Sequence, residues 1–176
     1  SEQVLRFTER ESSFKAVQVD VELIRFYPYR TLASHALGYT QSITQKEFNA
    51  LREKGYQISD RIGRTGVEAA YEQILRGKWG GEMLEVDAAG NVQRSLGFKS
   101  PESGQDLVLT IDLALQLAAE KALDDKPAGA VVALDPRTGA IRAMASRPNF
   151  DPNFFSKSFM TQKEYDDLFL SSAMPL

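Results

Sequence analysis

The chain has 176 residues, 43% hydrophobic and 26% charged, and its 21 basic and 24 acidic side chains leave a net charge of −3. This is the composition of a folded globular protein, and its near-neutral balance argues against nucleic acid or another polyanion as partner. The absence of cysteine excludes disulfides, thiolate nucleophiles and Cys-ligated metals, while a single His35 weakens any metal-site or Ser-His-Asp reading. No apolar run approaches the roughly 18 residues of a membrane span. The chain opens on Ser1 and not on Met, which reads as a cut.

In chain order, residues 14–23 are rich in Val and alternate apolar with polar side chains (Val17, Val19, Val21), as a half-buried strand should. Three helix starts share a Thr followed three positions later by a Glu, the pattern of a reciprocal cap: Thr44 with Glu47, Thr65 with Glu68, and Thr161 with Glu164. The second leads a run in which Val67, Ala70, Tyr71, Ile74 and Leu75 share one face, with Gly77 placed to end it. A packed helix is expected there. Residues 82–86 and 92–96 flank Asp-Ala-Ala-Gly-Asn, a hairpin with Gly90 available for positive φ. Residues 100–105 are turn-forming and mark a boundary: ten of twelve glycines precede position 105, and six of seven prolines follow position 100. Beyond it come a short strand at 107–111 and a helix from Asp112 to about Leu123, stopped before Pro127. Residues 129–134 and 140–145 flank Asp135-Pro136-Arg137-Thr138-Gly139, a second hairpin. The mixture implies an α+β fold.

The search for catalytic constellations is negative. Ser12-Ser13-Phe14-Lys15 matches Ser-x-x-Lys literally, but that pattern works only on a helix, and these residues enter an alternating segment where positions three apart diverge. Arg64-Thr65-Gly66 and Arg137-Thr138-Gly139 are read as a helix cap and a hairpin loop. His35 is read as structural, and the pairs Asp124-Asp125 and Asp166-Asp167 as solvated helix-end charge. Arg76-Gly77-Lys78-Trp79 has the make-up of a basic aromatic patch, for which a packed Trp anchoring a turn is the simpler account.

Non-catalytic landmarks carry the stronger signal. Arg25-Phe26-Tyr27-Pro28-Tyr29, then Ser34-His35-Ala36-Leu37-Gly38-Tyr39, then Gly63-Arg64-Thr65-Gly66-Val67-Glu68 come first. Leu109-Thr110-Ile111-Asp112, Asp135 to Gly139, and Phe150-Asp151-Pro152-Asn153 follow in that order. The series, over about residues 14–155, resembles class B penicillin-binding proteins of the elongation type. The segment at about 40–62 resembles the helical insertion of that subgroup.

The resemblance implies an elongated pedestal (dimerisation-type) domain at 1–105, followed at 106–176 by the opening elements of an α/β transpeptidase domain cut before its catalytic motif. The parent would be a serine-type peptidoglycan D,D-transpeptidase, anchored at the periplasmic face of the inner membrane and acylated by β-lactams. Implied partners are a SEDS-family glycosyltransferase and an MreC-type scaffold, with stem peptides and β-lactams engaged only through the absent catalytic part. No residue here inherits a catalytic, cofactor or metal role. Phe48, Leu51, Tyr56 and Ile58 form a candidate docking surface, weighed against a local mini-core. A freestanding, non-enzymatic periplasmic interaction module is the alternative. With so few elements to cover its sheet, the second region is expected to be marginal or to lean on the first, and to be the least stable part of the chain.

Overall fold

The computed structural model describes residues 24–89, 91–157 and 161–170, so the strand expected at 14–23, the pair Ser12 and Lys15, and Gly90 lie outside the described residues. Among the described residues the strands form three separate two-stranded antiparallel sheets.

The first region begins with α1 (Ser34–Leu37) and turns at Gly38, whose φ is +79°. A Cβ there would lie 1.9 Å from the Thr65 carbonyl oxygen, so glycine alone permits this crossing. β1 (Thr40–Ser42) then pairs with β2 (Arg61–Gly63). Between them lie α2 (Gln45–Leu51) and a 3-10 turn (Arg52–Lys54). The insertion expected to be helical over about 40–62 is therefore helical only across 45–54 and bounded by strands. Its cap forms as expected: Thr44 Oγ1 accepts from the Glu47 amide at 3.3 Å, and Glu47 Oε2 accepts from the Thr44 amide at 2.8 Å.

The run after Thr65 corrects two expectations. It breaks at Tyr71 into α3 (Gly66–Ala70) and α4 (Glu72–Leu75), and Thr65 makes no side-chain cap. The expected apolar face is not the buried one, because Tyr71 and Ile74 are exposed. Instead Glu68, Glu72 and Arg76, spaced four apart, turn inward. Each has a partner from a distant segment: Tyr27 for Glu68, the Gly63 amide for Glu72, and Asp60 for Arg76. Paired polar groups can take an interior face that hydrophobic periodicity assigns elsewhere.

β3 (Gly81–Val86) and β4 (Val92–Lys99) form the first expected hairpin, with every described position exposed. Residues 107–111 form no strand. The segment runs beside the second hairpin, with the Asp112 amide donating to Arg142 O at 2.8 Å and Thr110 Oγ1 donating to Ile141 O at 2.7 Å.

α5 (Leu113–Ala122) starts where expected, with the Asp112 side chain accepting from the Leu115 amide. β5 (Gly129–Leu134) and β6 (Ile141–Arg147) close through Asp135, whose carbonyl accepts from Gly139 and whose carboxylate accepts from the Arg137 amide. Ala119 of α5 and Leu123, which caps its C-terminus, pack on Ala143 and Ala145 of β6, forming one core cluster. Gln116 is fully buried, while Leu113, Leu115 and Leu117 are exposed. Its amide pairs with Met144 as a strand would, donating to Met144 O at 2.9 Å and accepting from Met144 N at 2.8 Å.

A second cluster joins Phe150, Phe155 and Leu168 to Tyr39 of the first region, with the Tyr39 and Phe155 rings stacked at 3.7 Å. The 3-10 turn Pro152–Ser156 supplies Phe155, and α6 (Gln162–Tyr165) leads through a π-helical turn (Asp166–Leu170) to Leu168. Thr161 O accepts from the Tyr165 amide, while the side chain of Glu164, its expected capping partner, lies outside the described set.

Candidate functional site

Two features have the build of an interaction device: the inserted segment, and the polar seam between the two regions.

In the insertion, Glu47 is held by Arg64 of the following loop as well as by Thr44. The Arg64 guanidinium, and then the Thr44 donors, pull the Glu47 carboxyl down to about 2. Asp60 is the second anchor. It is buried and accepts from the Trp79 indole at 2.6 Å, from Arg76 at 3.2 Å and from the Gln57 amide at 3.0 Å. Arg76 in turn lies over the Tyr56 ring, 3.5 Å from its centroid, a cation–π contact.

Of the four expected docking residues, Phe48 and Leu51 on α2 are half-buried, as is Tyr56 beneath Arg76. Ile58 is 52% exposed. None of the four belongs to either buried core cluster among the described residues. Trp79, expected to be packed, is 50% exposed and is held by its hydrogen bond to Asp60.

The seam is built from buried polar groups. Tyr27 Oη donates to Glu68 Oε1 at 3.1 Å, and Arg25 Nε lies 2.9 Å from the same oxygen. Burial first, and then the Glu68 charge, push the Tyr27 phenol far above its ordinary range. The Tyr27 backbone is clasped by the Asn153 side chain, which accepts from Tyr27 N and donates to Tyr27 O, each at 2.9 Å. Glu120 accepts from the Ala33 amide and the Gln116 amide group, and pairs with Arg147. Hydrogen bonding to Glu120 is the main cause raising the Arg147 guanidinium pKa. Ser146 Oγ lies 2.9 Å from His35 Nδ1, and His35 meets Phe150 edge to face. Arg61 of β2 donates to Phe155 O. The second region thus leans on the first through at least five points.

The remaining sequence candidates fall apart as sites. Arg64, Thr65 and Gly66 make the bend into α3, and Arg137, Thr138 and Gly139 make the β5–β6 turn. Asp124 pairs with Arg147, Asp125 with Lys126, and Asp166 accepts from Gln162. The Asp167 side chain lies outside the described set. Among the described residues there is no metal-competent group of three or more His, Cys, Asp or Glu side chains, and no helix is long and apolar enough to cross a membrane.

Sequence reasoning gave no role to Asp60, Glu120 or Gln116. A charged or amide side chain on an otherwise apolar helix was the available signal for the last two. Asp60 had none.

The model of the penicillin-binding protein dimerisation domain matches residues 1–109. This chain belongs to that family. The landmark order points to it, and the relatives of this penicillin-binding protein domain include several MrdA proteins. It is 39% identical over 165 residues to the peptidoglycan D,D-transpeptidase MrdA of Acinetobacter baumannii, covering 94% of this chain and 24% of the relative. With MrdA of Escherichia coli K12 it shares 38% identity over 178 residues, covering 99% of this chain and 28% of the relative.

Among solved structures, the Helicobacter pylori PBP2 in complex with MreC superposes with a TM-score of 0.76 at 26% identity, covering 97% of this chain and 32% of that one. A chain from a peptidoglycan synthase complex coordinating polymerization and crosslinking gives 0.72 at 35% identity, covering 98% and 32%. The mixed helix and strand architecture therefore resembles that of PBP2. The chain spans about a quarter of the length of the curated relatives it matches.

Proposed function

We propose that residues 1–105 are the pedestal of an elongation-type peptidoglycan D,D-transpeptidase, and that residues 106–176 open its catalytic domain. In this reading the chain performs no chemistry itself. It positions the catalytic domain at the periplasmic face of the inner membrane, to which the longer protein is anchored, and presents surfaces to the elongation machinery.

The observation that carries the reading is the seam. Glu120 and Asn153 of the second region grip the backbone of Ala33 and Tyr27 in the first, through hydrogen bonds of 2.9 Å. Backbone groups held this way fix orientation at low entropic cost, which is what a positioning element requires. The kinship with proteins solved alongside MreC and within a peptidoglycan synthase supports an MreC-type scaffold and a SEDS-type glycosyltransferase as partners.

In this reading the docking surface lies on the insertion, with Ile58 as its exposed apolar member and Phe48, Leu51 and Tyr56 as half-buried ones. The test is binding of an MreC-type scaffold to the chain and to Ile58→Asp. A buried interfacial apolar anchor replaced by a charge should weaken binding by about 2 kcal/mol, roughly thirtyfold, with the thermal midpoint unchanged. Unaltered binding by a folded Ile58→Asp removes the insertion from the interface.

A further inference from the structure

A cleft of about 350 Å³ opens beside the insertion, where the loop after α2 meets the loop after α4. Its chemically informative walls are Lys54, Tyr56, Arg76, Lys78, Trp79 and Lys99, and no carboxylate lines it. Three carboxylates stand behind the walls: Asp60 pairs with Arg76 at 3.2 Å, Glu102 pairs with Lys78 at 2.7 Å, and the Glu72 charge acts on Arg76 and Tyr56. Four cations against three anions leave the cleft with an excess of one positive charge. Arg76 also carries an unmet donor, since its buried Nε has no acceptor among the described residues.

The walls are set in advance. Asp60 fixes the Trp79 indole and the Arg76 guanidinium together. Lys78 and Glu102 exchange both backbone hydrogen bonds, at 2.8 and 2.9 Å. Gly77, at φ +73°, packs where a Cβ would stand 2.5 Å from Glu102 O. The Trp79 ring is nevertheless half exposed. A half-exposed indole set among cations offers a flat apolar platform next to an anion site.

We propose that this cleft binds a carboxylated sugar, its ring face on Trp79 and its carboxylate received by Lys54 and Lys99. A bare inorganic anion would leave the aromatic platform unused. A nucleic acid strand would need an extended basic track, which a cleft of this size on a chain of net charge −3 does not provide. Resting on the proposed pedestal function, the ligand would be a peptidoglycan strand, in which the lactyl carboxyl of muramic acid is amide-linked to the stem peptide and the carboxylates offered to Lys54 and Lys99 are those of the peptide.

Trp79 is the only tryptophan, so its emission reports on the cleft directly. The 176-residue chain is titrated with a GlcNAc–MurNAc disaccharide bearing its stem peptide, a glucuronic acid disaccharide, diacetylchitobiose, sodium phosphate and a short single-stranded oligonucleotide. Heat of binding is followed in parallel with emission. Saturable responses to the muropeptide are expected, with chitobiose about tenfold weaker, as suits the loss of charge-assisted hydrogen bonds. The double variant Lys54→Gln, Lys99→Gln should weaken the carboxylated sugars about tenfold with an unchanged thermal midpoint. No response by either readout, full affinity in the double variant, or equal binding of phosphate or oligonucleotide overturns the proposal. Binding of glucuronate without muropeptide supports the cleft and counts against the peptidoglycan reading. Silence of the cleft alongside penicillin acylation of the longer protein sinks the cleft alone.

Discussion

The two hairpins make an instructive pair. β3–β4 and β5–β6 have similar lengths, both are antiparallel, and both carry a bulge. Yet every described residue of the first is exposed, whereas Ala143 of the second is 1% exposed beneath Ala119 and Leu123. Alternation and turn chemistry decide that a hairpin forms; the element that lies across it decides which residues matter. On β3–β4 the cross-strand neighbours Glu85 and Arg94 form an exposed ion pair, a contact contributing at most about 1 kcal/mol. The β5–β6 hairpin is tied down by α5 and, through Glu120 and Arg147, by the seam.

The seam should give the largest effect. Glu120→Ala removes the acceptor of the Ala33 amide and the more buried of the two carboxylates paired with Arg147, at a cost of about 3 kcal/mol in denaturant unfolding. A loss below 1 kcal/mol would mean that the second region does not depend on the first. Next comes a matched pair within the hairpins. Ala143→Leu should overpack the α5–β6 contact by about 2 kcal/mol, while Leu96→Asn on β4 should stay within about 0.5 kcal/mol. Equal costs would erase the contrast between the hairpins.

The local devices were legible in the sequence because their partners lie within a few residues. The Thr44–Glu47 cap, the Asp112 cap and the Asp135 turn each close over three or four positions. The polar interior was not legible. Glu68 meets Tyr27 across 41 positions and Asn153 meets Tyr27 across 126, so no window of sequence contains both partners. Hydrophobic periodicity then misassigned one helix face: it put Tyr71 and Ile74 inside where Glu68 and Glu72 are. The candidate docking residues were visible as apolar letters, but not the Arg76 cation that covers Tyr56.

The smallest expected effect concerns acid. Glu47 has a folded pKa of about 2, below the roughly 4.3 of an unfolded glutamate. Its contribution is therefore fully present above the unfolded value and lost as pH falls through about 2. Side-chain carbon NMR should show Glu47 still ionised at pH 3.5. Glu47 already protonated at pH 3.5 would mean that the Arg64 clamp does not hold in solution.

Fluorescent penicillin tests the central claim most directly, applied to this chain and to the longer protein of which we propose it is the pedestal. The expected result is no covalent label on the 176-residue chain, and a label on the longer protein at a serine outside residues 1–176. Stoichiometric labelling of this chain, at Ser12 for instance, would contradict it.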